Sequence, residues 1–165
     1  MARLTNKTTK LTDSMEDYLE AIAVVKKSRG VARVRDITRL LGVEAPSVTS
    51  ALANLSKKGY VVHERYGYVD LTAKGERAAR DVIKRHGVLF DFLTQILGVP
   101  SEIAMKDACG MEHSLSKETM QRLTRLVEFV QRCSDAGQSG WLKSFEHYCK
   151  TGRLGAVTRR EGTRK

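Results

Sequence analysis

The sequence is poor in the residues that mark several classes of protein. It has two prolines, three cysteines and 6% aromatic residues in a chain of 165 residues, which excludes collagen-like and disulfide-rich chains. The odd number and irregular spacing of the cysteines indicate a reducing compartment. No apolar run approaches the ~18 residues of a membrane-spanning helix, and the N-terminal segment lacks the apolar core of a signal peptide. We therefore expect a cytoplasmic globular protein with no membrane partner.

Acidic residues are scarce relative to basic ones. Lys and Arg number 29 against 19 Asp and Glu, which gives a net charge of +10. The excess lies in the first half and at both ends of the chain, whereas residues 76–150 are nearly balanced. A surplus of this size indicates an anionic partner such as nucleic acid. The uneven distribution of charge indicates that the first half of the chain and residues 76–150 have different functions.

Hydrophobic periodicity predicts a mainly α-helical chain. The predicted elements, in chain order, are helices from an N-cap at Ser14 to about Gly30, over 34–41 and over 45–59, a hairpin over 60–71, and helices over 72–97, about 101–113, about 116–132 and about 141–148. Gly and Pro at the expected ends support the helix boundaries, and β-branched and aromatic residues support the hairpin. A Gly/Ser-rich linker is predicted at 135–140.

The order of the first elements predicts a winged helix-turn-helix domain, in which the third helix enters the DNA major groove. The outward side of that helix carries short polar side chains, which let its backbone approach the bases. Basic residues nearby would neutralise phosphates. For any single residue, a solvated polar face is an equally good explanation. The predicted DNA contacts are Arg33, Arg35, Arg39, Pro46, Ser47, Thr49, Ser50, Asn54, Lys57 and Arg65.

Side chains that can bind metals occur at helical spacing on three predicted helices. Cys109, Glu112 and His113 stand at i, i+3 and i+4, so a thiolate, a carboxylate and an imidazole share one face. Asp17 and Glu20 place two carboxylates on one face of the first helix. A histidine, His86, also interrupts the apolar stripe of the long helix. Each feature alone has an ordinary structural explanation, and spacing does not show that the three converge.

Five short segments together resemble the diphtheria-toxin-repressor-like family of metal-dependent transcriptional regulators, in particular its short manganese-transport-regulator branch. They are residues 14–20, 45–49, 69–75, 85–86 and 112–113. The resemblance implies operator binding by a homodimer when a metal site between two domains is filled. It implies a winged helix-turn-helix domain, which we place at 1–75, and an all-helical metal-binding and dimerisation domain, which we place at 76–150. Composition predicts a basic arm at 1–13 and a basic, disordered tail at 151–165.

By this resemblance, six residues are expected to bind the metal, namely Asp17, Glu20, His86, Cys109, Glu112 and His113. Cys109 stands where the manganese branch has a carboxylate, and its thiolate resembles the iron-responsive branch. That branch, however, has a methionine at the position of Asp17. It also has a carboxylate and an imidazole where this chain has Phe90 and Met105. Since a thiolate shifts preference from Mn²⁺ toward Fe²⁺, we expect one or two Fe²⁺ or Mn²⁺ ions per chain, with Fe²⁺ slightly favoured.

Two other classes of protein fit parts of the pattern. A metalloenzyme would use the Cys/Glu/His group for hydrolysis, but the sequence supplies neither a separate general base nor a Gly-rich substrate loop. A winged-helix regulator that responds to a non-metal ligand would use the same residues as structural hydrogen-bond partners and would bind DNA without metal. We expect instead a metal-dependent repressor of metal-uptake genes, with no enzymatic activity and no organic cofactor.

Overall fold

The computed structural model describes residues 11–63, 67–135 and 140–154. Its elements in chain order are α1 (Asp13–Arg29), β1 (Ala32–Arg33), α2 (Val34–Leu41), α3 (Ala45–Lys57), β2 (Val61–His63), β3 (Tyr68–Leu71), α4 (Ala73–Asp91), a π-helical turn (Phe92–Ile96), α5 (Ser101–Glu112), α6 (Lys117–Asp135) and α7 (Gly140–Thr151). The predicted fold class is confirmed. The chain divides into two compact units, Met1–Lys84 and Arg85–Lys165. Among the described residues no helix is long and apolar enough to cross a membrane.

The first unit packs α1, α2 and α3 against a small antiparallel sheet. The strand order is β1-β3-β2, so β3 lies in the middle. The core is formed by side chains that are fully inaccessible to solvent, including Leu19, Ile22, Ile37, Leu52 and Leu55. Leu19 and Ile22 recur at helical spacing on α1, and Leu52 and Leu55 on α3, so their burial determines which sides of these two helices face outward.

The helix ends of this unit follow the sequence closely, with one correction. Gly30 and Gly42 adopt the left-handed conformation, with φ of 77° and 66°, and end α1 and α2 as predicted. The start of α1 differs, because its N-cap is Thr12 and not Ser14. The Thr12 hydroxyl accepts a hydrogen bond of 3.3 Å from the Met15 N–H. Since both residue types cap helices well, the sequence alone does not distinguish the two starts.

The sheet contains one strand that the sequence does not predict. Strand β1 has two residues, too few for an alternating pattern, and it pairs with β3 so that Arg33 lies opposite Tyr68. The predicted hairpin is confirmed by the pairing of β2 with β3, in which Val61 lies opposite Leu71. Residues 64–66 of the connecting turn, including Arg65, lie outside the described residues.

The second unit contains α5, α6, α7 and the end of α4. Its apolar residues form two clusters, one around Leu89 and one around Ile96. The predicted continuous helix over 72–97 is wrong in its last turns, because Phe92–Ile96 is π-helical and the Leu97 N–H bonds to the Phe92 carbonyl at 3.2 Å. A wider turn of this kind changes the apolar spacing by a single residue. A short hydrophobic stripe does not reveal so small a change.

The last described helix, α7, agrees with the weak helix predicted around Trp141. It has no buried residue, and Leu142 is a partly buried side chain that packs against the cluster around Ile96. Trp141 is 43% exposed. The predicted N-terminal arm, linker and basic tail fall largely on residues 1–10, 136–139 and 155–165, which lie outside the described residues.

Candidate metal centre and DNA-binding surface

In the second unit the carboxylate of Glu112 lies between two imidazoles. His86, on α4, places Nδ1 at 3.3 Å from Oε2 of Glu112. His113, at the C-terminal cap of α5, places Nε2 at 3.4 Å from Oε1 of the same carboxylate. The structure thus brings together His86, Glu112 and His113, three of the six predicted metal ligands, and Cys109 Sγ lies within 4.8 Å of a carboxylate oxygen of Glu112.

The surroundings of this group are largely closed to solvent. Glu112 has no exposed surface, and the side chains of His86 and His113 are 18% and 9% exposed. A carboxylate in such a place is costly unless positive charge compensates it. Arg85 donates a hydrogen bond of 3.3 Å to the backbone carbonyl of Glu112. This bond ties the last turn of α5 to α4 and so fixes the position of the glutamate.

The donor atoms of this group fit a divalent transition metal. Imidazole nitrogen and carboxylate oxygen are ligands that Mn²⁺, Fe²⁺ and Zn²⁺ all accept. A cation bound here would add positive charge beside the buried Glu112 carboxylate. The residues present therefore fit the metal that the sequence predicts.

The other three predicted ligands belong to α5 and α1. Cys109 is on α5, one helical turn before His113, and is exposed. Asp17 and Glu20 belong to the first unit, where they lie one turn apart on α1 with half-buried side chains. Their role as metal ligands stays a prediction.

The outward side of α3 is polar and exposed, as a recognition helix requires. Its predicted DNA contacts are all exposed, namely Pro46, Ser47, Thr49, Ser50, Asn54 and Lys57. Four of them, at positions 47, 50, 54 and 57, form one row along the helix. The hydroxyl of Thr49 donates a hydrogen bond of 2.9 Å to the Ala45 carbonyl, so its proton is used within the helix.

The predicted arginine contacts differ in how they are held. Arg35 and Arg39 are exposed on α2. Arg33 donates a hydrogen bond of 2.8 Å to the Tyr68 hydroxyl, and its guanidinium carbon lies 4.9 Å from the centre of the Tyr68 ring. The sequence does not identify Tyr68 as a partner, because the contact depends on the unpredicted pairing of β1 with β3. Arg65 lies outside the described residues.

Comparison with known proteins identifies both halves of the chain. Residues 10–69 match the family model described as iron dependent repressor, N-terminal DNA binding domain, and residues 72–139 match that for the metal binding and dimerisation domain. The HTH-type transcriptional regulator MntR of Shouchella clausii is 42% identical over 120 residues, which cover 73% of this chain and 83% of that protein. MntR of Bacillus subtilis is 37% identical over 135 residues, which cover 82% of this chain and 93% of that protein.

Solved structures show the same architecture. T. acidophilum IdeR aligns with a TM-score of 0.62 and 29% identity, covering 70% of this chain and 54% of that one. A manganese-dependent transcriptional repressor in complex with manganese aligns with a TM-score of 0.65 and 29% identity, covering 70% of this chain and 53% of that one. The present chain thus spans about half the length of either.

These relatives confirm the predicted winged helix-turn-helix, the family resemblance and the regulatory function. They are transcriptional regulators, a non-enzymatic family, so they do not support the metalloenzyme alternative. They also give no support to a regulator that responds to a non-metal ligand. The chain belongs to the iron-dependent repressor family and is a metal-dependent transcriptional regulator.

Proposed function

We propose that the protein represses metal-uptake genes in the cytoplasm by binding operator DNA as a homodimer when Fe²⁺ or Mn²⁺ is bound. The observation that carries this proposal is the buried Glu112 carboxylate between the imidazoles of His86 and His113. The relatives named MntR, and the manganese-dependent repressor solved with manganese, support a function of this kind. The proposed ligands are Asp17, Glu20, His86, Cys109, Glu112 and His113.

The charges of the chain itself provide the switch in this proposal. The carboxylates of Asp17, Glu20 and Glu112 repel one another in any arrangement that gathers them without a cation. A bound divalent ion supplies the positive charge that offsets this repulsion. Since α1 packs against α3 within the first unit, holding α1 also holds the recognition helix. In a dimer, the two recognition helices must match half-sites about 34 Å apart.

The metal preference in this proposal depends on Cys109. A thiolate among carboxylates and imidazoles favours Fe²⁺ over Mn²⁺, and one or two ions per chain fit six ligands. Replacing Cys109 by Glu restores an all-oxygen and nitrogen ligand set. In anaerobic competition titrations, we expect C109E to shift the ratio of the two affinities toward Mn²⁺. An unchanged ratio would remove Cys109 from the ligand set.

The DNA-binding role rests on the exposed row of α3 and the net charge of +10. Ser47, Ser50 and Asn54 offer hydroxyl and amide groups that bond to base edges, while Lys57 and the arginines neutralise phosphates. Arg33 is pre-oriented by Tyr68, so less side-chain entropy is lost on binding.

Dimer formation is proposed for the second unit, which matches the dimerisation model. Large apolar side chains remain exposed in this unit, with Leu97 38%, Leu126 38% and Phe129 58% accessible in the single chain. Exposed apolar surface of this kind marks protein interfaces. Sedimentation showing only monomer at micromolar concentration, with and without metal, would refute the dimer.

The test of the function is fluorescence-anisotropy titration of an operator from the protein's own promoter region, with chelated protein and added Fe²⁺, Mn²⁺ or Mg²⁺ under anaerobic conditions. We expect Fe²⁺ and Mn²⁺, but not Mg²⁺, to tighten binding. Glu112→Gln should abolish this metal effect because it removes the charge of the buried carboxylate. His113→Ala should abolish it because it removes the imidazole ligand beside that carboxylate.

Glu102→Gln is the matched control, since Glu102 lies on the same helix, α5, with an exposed side chain. It should keep the full metal effect, and circular dichroism of all variants checks that each is folded. Equally tight operator binding in the presence of chelator would overturn the proposed function.

A further inference from the structure

The second ring nitrogen of His86 also has a close neighbour. Its Nε2 lies 3.1 Å from the sulfur of Met105. Met105 is on α5, two turns before Glu112, and its side chain is 52% exposed. The two residues both belong to the second unit. His86 therefore has Glu112 on one side of its ring and a thioether on the other.

The chemistry of the thioether decides which atom donates in this contact. A methionine sulfur carries no hydrogen and can only accept a hydrogen bond. The donor must then be Nε2–H of His86. In a neutral imidazole only one ring nitrogen carries hydrogen, so protonation at Nε2 leaves a lone pair on Nδ1. That nitrogen makes no hydrogen bond with any described residue, although it lies 3.3 Å from Oε2 of Glu112.

The opposite tautomer would behave differently toward a metal. With hydrogen on Nδ1, the ring would donate to Glu112, and the nitrogen would have no lone pair for a cation. With hydrogen on Nε2, the Nδ1 lone pair and a carboxylate oxygen face one another, so His86 and Glu112 could both hold a cation, whose charge would offset their repulsion. The choice of tautomer thus decides whether the pair is ready to bind metal.

We propose that Met105 is a positioning residue for the metal centre. It accepts the Nε2–H hydrogen bond of His86 and so holds the ring in the tautomer whose Nδ1 lone pair is directed at Glu112. This inference rests on the proposed function, because it takes His86 and Glu112 as metal ligands. It also limits His86 to binding a single ion, since the second ring nitrogen is occupied by the thioether.

The use of a thioether has an electronic consequence. Metal-binding histidines usually donate their second N–H to a carboxylate, a carbonyl or water, and a strong acceptor raises the basicity of the coordinating nitrogen. Methionine sulfur is a weak and uncharged acceptor. It orients the His86 ring with a smaller rise in basicity than a carboxylate would produce.

The test uses ¹⁵N NMR of the histidine rings in the metal-free full-length protein, at an alkaline pH where imidazole is neutral. In the wild type we expect His86 to show a protonated Nε2 and an unprotonated Nδ1. Met105→Leu keeps the bulk of the side chain but removes the acceptor, and should shift the population toward Nδ1–H. Met105→Gln supplies an amide oxygen as acceptor and should restore Nε2–H.

Mn²⁺ binding provides the second measurement. We expect Met105→Leu to raise the Mn²⁺ dissociation constant about tenfold, the lower end of the usual effect of losing such a partner, and Met105→Gln to recover most of the loss. Met120→Leu is the matched control, because Met120 is a half-buried residue on α6 that packs in the cluster around Leu89. It should change neither the His86 spectrum nor Mn²⁺ binding.

Three results would overturn the inference. The first is a wild-type His86 that is protonated at Nδ1. The second is a Met105→Leu variant whose His86 ¹⁵N shifts are unchanged. The third is a Met105→Leu variant that binds Mn²⁺ more weakly with an unchanged tautomer, because Met105 would then act on the ion directly. Failure of the proposed function would be seen in a different experiment. A His86→Ala variant with wild-type Mn²⁺ affinity would refute His86 as a ligand. The NMR of the metal-free protein would still test the hydrogen bond between His86 and Met105.

Discussion

At the scale of single residues, Gly75 leaves no room for a side chain. It is buried in the first turn of α4, and a Cβ atom built there would lie 2.0 Å from the backbone oxygen of Tyr60. That oxygen also accepts a hydrogen bond of 3.0 Å from the Thr72 N–H, so it is not free to move. We expect Gly75→Ala to lower the free energy of unfolding by at least about 1–3 kcal/mol, as overpacking does.

Gly87→Ala is the control for this prediction. Gly87 lies on the same helix, and a Cβ atom there would meet nothing within 4 Å. Alanine should therefore stabilise the helix by up to about 1 kcal/mol. Urea denaturation of the metal-free variants measures both effects. Equal stability of G75A and the wild type would contradict the close approach of α4 to Tyr60.

The sequence predicts which residues share one helix face, but it does not predict contacts between residues that are far apart in the chain. The spacing of Cys109, Glu112 and His113 identifies a ligand-rich face because helical geometry is local. The contact of His86 with Met105 joins residues 19 positions apart, and no periodicity predicts such a pair. The N-cap is a similar case, since the choice of Thr12 over Ser14 depends on how the chain enters α1.

At the scale of elements, an ion pair between Lys26 and Asp70 joins the end of α1 to the central strand β3. Partial burial raises the pKa of the Asp70 carboxyl, but the hydrogen bonds from Lys26 and from the Leu71 N–H outweigh it, so the pKa lies below its usual value of 3.8. Because the folded pKa is the lower one, the pair stabilises the protein above the unfolded pKa. This stabilisation is lost as pH falls through the folded pKa.

Asp70→Asn should therefore be less stable than the wild type at neutral pH, and the difference should disappear in acid. Its size should stay below about 1 kcal/mol, since both side chains are about one-third exposed and solvent screens the pair. Urea denaturation across pH measures the difference. Lys26→Met should lose the same amount, and the double variant no more than either. A difference that persists unchanged into acid would contradict the role of the charged carboxylate.

For the recognition helix α3, we predict how Lys57 affects the salt dependence of DNA binding. Lys57 is exposed in its last turn, and a lysine that contacts phosphate releases about one counterion per contact. Lys57→Gln should weaken binding to all DNA sequences and reduce the slope of log affinity against log salt by about one per subunit bound. Lys143→Gln, exposed on α7, should leave the slope unchanged. Loss of affinity with an unaltered slope would exclude a phosphate contact by Lys57.

Element boundaries follow from local chemistry where a strong signal exists. Gly30 and Gly42 end their helices through a backbone conformation that glycine adopts easily. Two elements have no such signal. Strand β1 is defined by its pairing with β3, and the π-helical turn over Phe92–Ile96 contributes Leu93 and Ile96 to different apolar clusters.

At the scale of the whole molecule, the candidate ligands are divided between two units. Asp17 and Glu20 belong to the first unit, and the other four belong to the second. The sequence identifies each set, but a relation between sets more than sixty residues apart depends on the packing of the entire chain. Periodicity does not predict that both sets serve one metal centre. That expectation comes from the resemblance to a family.

A metal centre of this kind implies a reciprocal linkage between metal and DNA. If Mn²⁺ tightens operator binding by a given factor, the operator must tighten Mn²⁺ binding by the same factor. We expect a factor of roughly 5 to 150, the usual range for coupled sites. Anisotropy measures operator affinity with and without Mn²⁺, and the electron paramagnetic resonance signal of free Mn²⁺ measures metal affinity with and without operator. Glu112→Gln should reduce both factors to one. Operator binding that responds to Mn²⁺ while Mn²⁺ affinity ignores the operator would show that the ion acts outside this protein.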